Sequence, residues 1–388
     1  MTIRLSHSDI QDFLKCRNLW DFRSGLRQAR RPFTHAVELD VGTAWAKGME
    51  AFYDPITWES DHKIARAMSE FISACDEQRE RIYQNTDKPR DVVDAEIAER
   101  IELGKGMLKY FFGWSKVNDA HLVPKRVEWE FEVPILDPLG TQLYVEGDVP
   151  AAHTEPVVFA GRIDRLFYDA KWDVYWLGED KTAGEFKEAD WLEIDPQTSR
   201  YMWALEQADD IRVAGMIWTQ FKKEYPKPTK INKNGEVSVD RRQTTTDALL
   251  QAAIIEQHGP PDQWSPAGTD EFVPMRDRTR VNYGEYLQYL KDRQARDYSG
   301  EQPWLIRRVY QTVSPAISQR MGEQLYTLAT EMLDDPKIYP NENAINCQRC
   351  PFRVPCLLRH EGDDWEFVLK HNFEKKDAVE AQTTGLVQ

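Results

Sequence analysis

Residues 161–182 read GRIDRLFYDAKWDVYWLGEDKT, with Asp164 near one end and Glu179-Asp180-Lys181 near the other. Both ends alternate apolar and polar residues as strands do, and a hairpin with its turn between Lys171 and Trp172 would pair them. In that register Asp164 lies opposite Glu179, with Cβ atoms about 5 Å apart. Lys181 follows Glu179 by two residues and shares its face of the strand. The stretch therefore predicts two carboxylates and an amine at one end of a β-sheet.

This arrangement has a chemical use as well as a structural alternative. Asp164 and Glu179 supply hard oxygen ligands, and the backbone carbonyl of Asp180 a further one, for Mg²⁺ or Mn²⁺. Such a metal polarises a phosphodiester and lowers the pKa of a bound water. Lys181 would orient that water or neutralise developing charge. The same spacing is also common in cross-strand salt bridges on solvated surfaces.

The rest of the chain predicts an α/β fold, in which a mixed sheet is flanked by helices. Helical patterns occupy the first residues, where Ser8 and Gln11 have the spacing of a capping box, and residues 60–116. A mostly antiparallel sheet is predicted from about 125 to 182, and a further strand at 211–221. Residues 285–335 return to a helical pattern.

Two helices are predicted close to the carboxylates. One begins near Gly42, with Trp45, Met49, Phe52 and Tyr53 on one broad face. The other begins after Asp195, which suits the N-cap, with Pro196 at the first helical position. In this second helix Gln197 and Tyr201 are four residues apart and lie on one face.

The order of these motifs resembles that of the PD-(D/E)XK nucleases of the RecB type. Asp164, Glu179-Asp180-Lys181-Thr182 and Gln197-x3-Tyr201 follow one another as in that family. Ser6-x-Ser8 ahead of Cys16 resembles its opening helix, and residues 221–246 resemble a segment of its phage-encoded members. The resemblance covers roughly residues 1–360. It implies a metal-dependent deoxyribonuclease in which Asp164, Glu179 and Asp180 bind the metal and Lys181, Gln197 and Tyr201 complete the catalytic set.

One position departs from the family. Its second motif usually reads Gly-Thr-Ala-x-His, with the His as a metal ligand, whereas Gly42-Thr43-Ala44-Trp45 is followed here by Ala46. Glu50, one helical turn later, is either an indirect replacement or a solvated helix residue. Loss of a ligand weakens metal binding without necessarily abolishing catalysis.

Three of the five cysteines fall within ten residues, at Cys347, Cys350 and Cys356, and Cys16 lies near the other end of the chain. Three local thiolates and one remote thiolate are less typical of zinc, which often uses two CxxC pairs, than of a 4Fe-4S cluster. The iron–sulfur subset of RecB-type nucleases has the same pattern, and the resemblance implies a cluster that ties the two ends together. Zinc and buried free thiols are the alternatives. Cys75 has no partner in sequence and is interpreted as a packed thiol.

The chain is acidic, with a formal net charge of −15, so its whole surface cannot attract nucleic acid. Basic residues are nevertheless clustered, and a local groove could follow a phosphate backbone. The densest cluster is Lys222, Lys223, Lys227, Lys230, Lys233, Arg241 and Arg242, around a predicted turn at Asn234-Gly235. The other two are Arg23, Arg27, Arg30 and Arg31, and Arg276, Arg278 and Arg280. A solvated surface is the alternative for each cluster.

The sequence also limits the function. It has no GxxxxGK[ST] phosphate loop, no zinc-finger pattern and no base-reading helix. No apolar run is long enough for a membrane span, and the first residues lack the apolar region of a secretory signal, so we expect a cytoplasmic protein. We predict one domain over residues 1–372, with a helical insertion at about 55–120, and a flexible tail at 373–388.

Three functional hypotheses remain from the sequence. The first is a DNA exonuclease of recombination, repair or phage replication, acting on DNA with recombination or replication proteins as further partners. The second is a nuclease that trims DNA ends for CRISPR adaptation, as a related cluster-bearing nuclease does. The AddB-type nucleases are further relatives in this resemblance. The third is a DNA-binding or scaffolding protein with a decayed site, or a zinc-stapled interaction module.

Overall fold

A computed structural model describes residues 2–32, 41–85, 88–146, 154–233, 235–260, 264–266, 272–274 and 283–376. The fold is mixed α/β, with a central mixed sheet flanked by helices, as predicted. The strands in chain order are β1 (Ile3–Leu5), β2 (Arg30–Pro32), β3 (Leu122–Pro134), β4 (Tyr144–Glu146), β5 (Thr154–Asp169), β6 (Val174–Ala183), β7 (Val213–Lys222), β8 (Trp264–Pro266), β9 (Phe272–Pro274), β10 (Ile306–Thr312) and β11 (Phe373–Lys375).

Helices surround this sheet and fill the predicted insertion between β2 and β3. In chain order they are α1 (His7–Lys15), α2 (Arg17–Arg23), α3 (Val41–Phe52), α4 (Lys63–Asn85), α5 (Arg90–Asn118), α6 (Ala189–Glu193), α7 (Pro196–Asp209), α8 (Asp247–His258), α9 (Tyr283–Ser299), α10 (Pro315–Leu333), α11 (Ala344–Gln348), α12 (Arg353–Glu361) and α13 (Trp365–Asn372). Within the described residues, no helix has both the length and the apolar character needed to cross a bilayer.

The long strand β5 organises the central sheet. It pairs antiparallel with β3, β4 and β6 and parallel with β1. β6 continues through the crossover helix α7 to β7, which lies parallel to it, and β10 pairs antiparallel with β7. The mostly antiparallel sheet predicted from 125 to 182 is confirmed. The all-helical prediction for 285–335 is wrong at β10, because IRRVYQT pairs with the open edge of β7 between two helices.

The two faces of the sheet bury separate apolar clusters. On one face, α1, α7 and α10 contribute residues such as Phe13, Leu205 and Leu325. On the other, α3, α4 and α5 pack aromatic residues such as Trp45 and Phe111. The predicted apolar face of α3 is confirmed, since all four of its residues are buried: Trp45, Met49, Phe52 and Tyr53. Cys75 is buried in this second cluster, as the packed-thiol interpretation requires.

The helix caps confirm one prediction and correct another. Asp195 caps α7 by accepting a hydrogen bond from the backbone N–H of Gln197, with Pro196 in the first turn. The capping box of α1 is formed by Ser6 and Asp9, not by Ser8 and Gln11, because the preceding strand ends at Leu5. The first helix therefore starts directly where β1 leaves the sheet.

The two ends of the described chain meet at a small separate joint. β11 pairs antiparallel with β2, and Phe22, Phe352 and Phe373 form a stacked aromatic series between them. The tail predicted from residue 373 thus begins with a paired strand, and residues 377–388 lie outside the described residues. Strand pairing and ring stacking thus join the two ends of the described chain.

Candidate active site

The candidate site lies where two strands part along one edge of β5. β3 covers the opposite edge over residues 158–169. On the shared edge, β1 pairs with 157–159 and β6 with 165–169, so residues 160–164 have no strand partner there in the described part of the chain. We call this opening the fork. Asp164 lies at its β6 side, and Ser6 and His7 follow the end of β1.

The predicted hairpin register is confirmed. Asp169 pairs with Val174 and Arg165 with Gly178, which centres the turn between Lys171 and Trp172. The ladder stops there, so Asp164 and Glu179 occupy the next step, where the strands separate. The predicted pairing of these carboxylates is therefore a juxtaposition across the mouth of the fork, without ladder hydrogen bonds between them.

The glycines of this hairpin allow close approach of aromatic rings. A Cβ atom on Gly161 would lie 2.4 Å from the Phe131 ring, and one on Gly178 would lie 2.6 Å from the Phe167 ring. Real Cβ contacts are never this short, so larger residues would displace both rings. The glycines that flank the carboxylates thus let aromatic side chains close the two faces of the sheet beside the fork.

Glu179 and Lys181 form a buried ion pair at the fork. The Lys181 Nζ lies 2.5 Å from the Glu179 Oε1, and the Glu179 residue is 4% exposed. Burial, and then the negative charge of Asp164, raises the pKa of Glu179 to about 7. Burial opposes the charge on Lys181, but Glu179 and Asp164 outweigh it and raise the pKa of the lysine. The site therefore holds more negative charge than its one lysine neutralises.

Asp180 points to the opposite face of the sheet. Its Oδ1 lies 2.5 Å from the Arg165 Nη2, and both side chains are buried. Burial raises the pKa of Asp180 to about 6, and the attraction of Arg165 only partly offsets this. The Asp180 carboxylate is thus committed to Arg165.

A third carboxylate, Glu128 of β3, was not predicted. It lies between Val127, which pairs with Arg165, and Trp129, which pairs with Ile163, and its Oε2 lies 2.8 Å from the Arg162 Nε. Burial, followed by repulsion from Asp164, raises its pKa to about 7. Glu128 has a φ of +47°, an unusual backbone conformation for a non-glycine residue. The alternation of the predicted strand RVEWEFEVPI contained this residue, but only the strand pairing brings it to Asp164.

Helix α7 supplies the remaining predicted residues. Tyr201 is buried, and burial followed by the charges of Glu179 and Asp164 raises its pKa. The side chain of Gln197 hydrogen-bonds to Tyr201, which lowers the pKa in part. The predicted pair therefore lies on one face of α7, against the carboxylates.

Helix α3 approaches the site from the other side. Ala46 is exposed, and Glu50 one turn later is half-buried and forms an ion pair with Lys47 at 2.7 Å. The charge of Glu50 contributes to the raised pKa of Glu128. Ala46, at the position where the family has a metal-binding His, thus lies one helical turn from Glu50, whose charge acts on Glu128.

No three His, Cys, Asp or Glu side chains of the described residues are arranged to hold a single metal ion. Four carboxylates lie at or near the fork: Asp164, Glu179, Glu128 and Glu50. Three of them form ion pairs with basic side chains, in the pairs Glu179–Lys181, Glu128–Arg162 and Glu50–Lys47. Asp164 has no ion-pair partner among the described side chains. The donors are oxygen atoms, and the pKa values of Glu179 and Glu128, raised by burial and by the charge of Asp164, mark negative charge that a divalent cation would relieve. The donor chemistry therefore fits Mg²⁺ or Mn²⁺, provided that Lys181 moves off Glu179.

The sequence matches the profile of a known protein family. The profile of the PD-(D/E)XK nuclease superfamily matches residues 4–357. The chain belongs to the PD-(D/E)XK nuclease superfamily. Glu179-Asp180-Lys181 spells the (D/E)XK part of the motif, while Ile163 stands where Pro would precede Asp164. No curated protein matches the chain at a significant level.

Membership in this nuclease superfamily indicates a metal-dependent phosphodiester hydrolase.

The region of the profile match includes Cys16 and the three clustered cysteines. The described part of the chain brings these four thiols to the wall of one cavity of about 600 Å³, lined also by Asn18, Phe22 and Phe352. Because no three of them are close enough to hold one ion, a preassembled mononuclear zinc site is not present among the described residues.

Two N–H groups point at sulfur atoms in this cavity. Asn18 Nδ2 donates to the Cys356 Sγ at 3.2 Å, and the backbone N–H of Asn341 donates to the Cys16 Sγ at 3.4 Å. Burial raises the pKa values of Cys350 and Cys356, and the other cysteines of the group add to the effect. In Cys75 burial raises the pKa to about 11. The raised pKa values of Cys350 and Cys356 thus favour their protonated form until a metal group binds them.

The basic clusters of this nuclease-superfamily chain differ in how far they are neutralised. Lys222 forms an ion pair with Glu185, and Arg242 with Asp240. Lys223, Lys227, Lys230, Lys233 and Arg241 are exposed. A bridge between Ile231 and Val237 supports the predicted turn, although Asn234 itself lies outside the described residues.

Of the two other basic clusters, the structure describes only the first. In the first, Arg23, Arg27 and Arg31 form ion pairs with Asp12, Asp21 and Glu374. The third cluster, Arg276, Arg278 and Arg280, lies outside the described residues. The stretch from Lys222 to Arg242 therefore remains the best candidate for contact with DNA.

The raised pKa of Glu179 predicts a pH dependence of stability. A carboxyl whose pKa rises from 4.5 to about 7 on folding binds more protons in the folded state, so its contribution to stability is lost as pH rises through 7. We expect the free energy of unfolding of the wild type, minus that of Glu179→Gln, to fall by on the order of 3 kcal/mol from pH 4.5 to 8 in EDTA. Urea unfolding measures this difference. The exposed Glu185→Gln serves as the control, and a difference independent of pH would show that Glu179 is ionised throughout.

Proposed function

We propose that the protein is a Mg²⁺- or Mn²⁺-dependent deoxyribonuclease whose active centre is the fork. The observation that carries this proposal is the buried Glu179–Lys181 pair beside Asp164, in a chain of the PD-(D/E)XK nuclease superfamily. Asp164, Glu179 and the backbone carbonyl of Asp180 would hold the metal, and Glu128 is a further carboxylate within its reach. When bound, the metal supplies polarisation of the phosphodiester and a water of lowered pKa.

The side chains of the fork have separate roles in this proposal. Lys181 carries the positive charge next to the reacting phosphate, where it orients the attacking water or neutralises developing charge. Tyr201 and Gln197 would position the substrate or Lys181 from the side of α7. Arg165 anchors Asp180 on the opposite face and thereby fixes the backbone between Glu179 and Lys181. Burial of the set keeps bulk water away from these charges.

The substrate we propose is DNA, cleaved from an end in recombination, repair or phage replication. The exposed lysines of residues 222–242 follow directly on β7, which is the neighbour of β6 in the sheet. They provide local positive charge in an acidic chain, as contact with a phosphate backbone requires.

We also propose that Cys16, Cys347, Cys350 and Cys356 bind a 4Fe-4S cluster. Each iron of such a cluster takes one thiolate, so the four sulfur atoms lie farther apart than around a single ion. The shared cavity and the two N–H···S hydrogen bonds support this assignment over zinc. Its role would be structural, because it would link α1 and α2 to α11 and α12.

A second candidate is a DNA-binding or scaffolding protein with a weakened nuclease site. Ala46 favours it, since no side chain replaces the family's His at that exposed position. The intact set of Asp164, Glu179 and Lys181 favours the active enzyme. The two candidates differ in whether purified protein cleaves DNA when Mn²⁺ is supplied.

We expect Asp164→Ala and Lys181→Ala each to reduce cleavage of end-labelled single- and double-stranded DNA by at least a thousandfold, about 4 kcal/mol of transition-state stabilisation. DNA binding should survive, because phosphate contacts of the basic stretch lie elsewhere. The control is Asp173→Asn, at the exposed turn of the same hairpin, which should cleave as the wild type does. Wild-type rates in either alanine variant would remove that residue from the proposed centre.

We expect Ala46→His to lower the Mn²⁺ concentration needed for half-maximal cleavage by about tenfold, because imidazole is a good ligand for such ions. Ala46→Gln is the matched control, since an amide of similar size is a poor ligand. The measurement is a metal titration of initial cleavage rate. If the two variants have the same metal dependence as the wild type, α3 does not face the metal.

We expect Cys16→Ser, Cys347→Ser, Cys350→Ser and Cys356→Ser each to reduce the iron and acid-labile sulfide of anaerobically purified protein and to lower its melting temperature. The control Cys75→Ser should keep its iron, because Cys75 packs in a different apolar cluster. Iron per chain in the five variants is the measurement. Retention of the full iron content in Cys16→Ser would show that the fourth ligand is another residue.

A further inference from the structure

Arg200 of α7 is a buried cation with no ion-pair partner among the described side chains, and the carboxylate of Asp195 acts on its charge only from beyond ion-pair distance. Its residue is 3% exposed, and none of the described side chains places a carboxylate within ion-pair distance of it. Two other buried arginines show the usual arrangement: Arg165 lies 2.5 Å from Asp180, and Arg308 lies 2.5 Å from Asp119. A buried charge without a counter-ion is costly, and proteins normally pair it. Arg200 is therefore an exception that calls for an anion.

The one side chain bonded to Arg200 is a neutral imidazole. Arg200 Nη1 lies 3.1 Å from His7 Nδ1, and the Arg200 Nε is buried with no acceptor in the described residues. Burial, followed by the charges of Arg200 and Lys181, lowers the pKa of His7 to about 3, so the ring is uncharged. A neutral ring that accepts at Nδ1 carries its proton on Nε2. His7 thus orients the guanidinium but does nothing to neutralise it.

This pair borders the fork. His7 is the first residue of α1, directly after β1 leaves β5, and its ring centroid lies 6.1 Å from that of Tyr201. The charges of Arg200 and Lys181 both act on His7, so both cations lie near the imidazole. The guanidinium and the ammonium therefore approach one region from two elements, α7 and β6.

We propose that Arg200, oriented by His7, binds a phosphate group of the DNA in the fork. The inference rests on the proposed nuclease function and adds a phosphate-binding residue to it. A guanidinium presents parallel N–H donors that match phosphate oxygens, and a desolvated site strengthens that contact. Metal binding by this pair is excluded by the permanent positive charge of Arg200. The phosphate belongs either to a DNA terminus or to the backbone beside the bond that is cleaved.

The test measures DNA binding without cleavage. Arg200→Gln, Arg200→Lys and the exposed control Arg212→Gln are each placed in the Asp164→Ala background, and fluorescence anisotropy is recorded in EDTA. The probes are single-stranded oligonucleotides with a 5′-phosphate, with a 5′-hydroxyl, and a circular single strand. We expect Arg200→Gln to raise the Kd at least tenfold, Arg200→Lys to raise it less, and Arg212→Gln to leave it within twofold.

The three probes separate the two sources of phosphate. A loss confined to the 5′-phosphorylated strand assigns Arg200 to a terminal phosphate, and an equal loss on all three assigns it to an internal one. Melting temperature in phosphate-free buffer provides a second readout. Because the substitution breaks no ion pair with a described side chain, Arg200→Gln should melt no lower than its parent.

A lower melting temperature of Arg200→Gln with unchanged affinity for all three probes would overturn the proposal and leave Arg200 as a packing residue. Binding is measured in a non-cleaving background without metal. If the wild type has no nuclease activity, the proposed function is contradicted, but the effect of Arg200 on DNA binding can still be determined.

Discussion

The structure depends on β5 pairing with two different strands along one edge. β1 runs parallel to its first part and β6 antiparallel to its last, and the strands cannot meet because residues 160–164 separate their partners. The opening places the start of α1, the end of the β5–β6 ladder and the first turns of α7 around one space. Polar side chains at these positions face one another because the backbone there has no ladder partner on that edge. The candidate site is thus a consequence of sheet topology before it is one of side-chain chemistry.

The two faces of the sheet treat charge differently. Behind the fork, Arg165 and Arg308 are matched with Asp180 and Asp119, and the Tyr53 hydroxyl donates to Asp119 at 2.7 Å. In the fork itself, burial and the charge of Asp164 raise the pKa values of Glu179 and Glu128, and Arg200 has no ion-pair partner among the described side chains. Matched pairs rigidify the scaffold, whereas unmatched groups of both signs are suited to ligands of both signs, a cation and a phosphate. The unmatched charges lower the stability of the folded state, and the apolar clusters packed on both faces of the sheet offset this loss.

Much of this arrangement was predictable from sequence, because it depends on local patterns. The hairpin register follows from side-chain alternation and a short turn, and the start of α7 follows from Asp195 and Pro196. Glu128 was missed because its position depends on a register shift between Pro124 and Arg126 and on its own positive φ, which no local pattern encodes. The contact of His7 with Arg200 joins distant parts of the chain and could not be read from either segment. β10 was missed because a short strand with two arginines is defined by the edge of β7 rather than by its own composition.

The central claim is that Asp164 and Glu179 bind a divalent cation at the fork and that Lys181 moves away from Glu179 when the ion binds. Anomalous diffraction from crystals soaked in Mn²⁺ tests this most directly, because it locates the ion and both side chains together. The account predicts an anomalous peak in contact with both carboxylates, with the Lys181 Nζ displaced from its 2.5 Å contact with Glu179. An intact Glu179–Lys181 pair, with manganese bound elsewhere or absent, would contradict it.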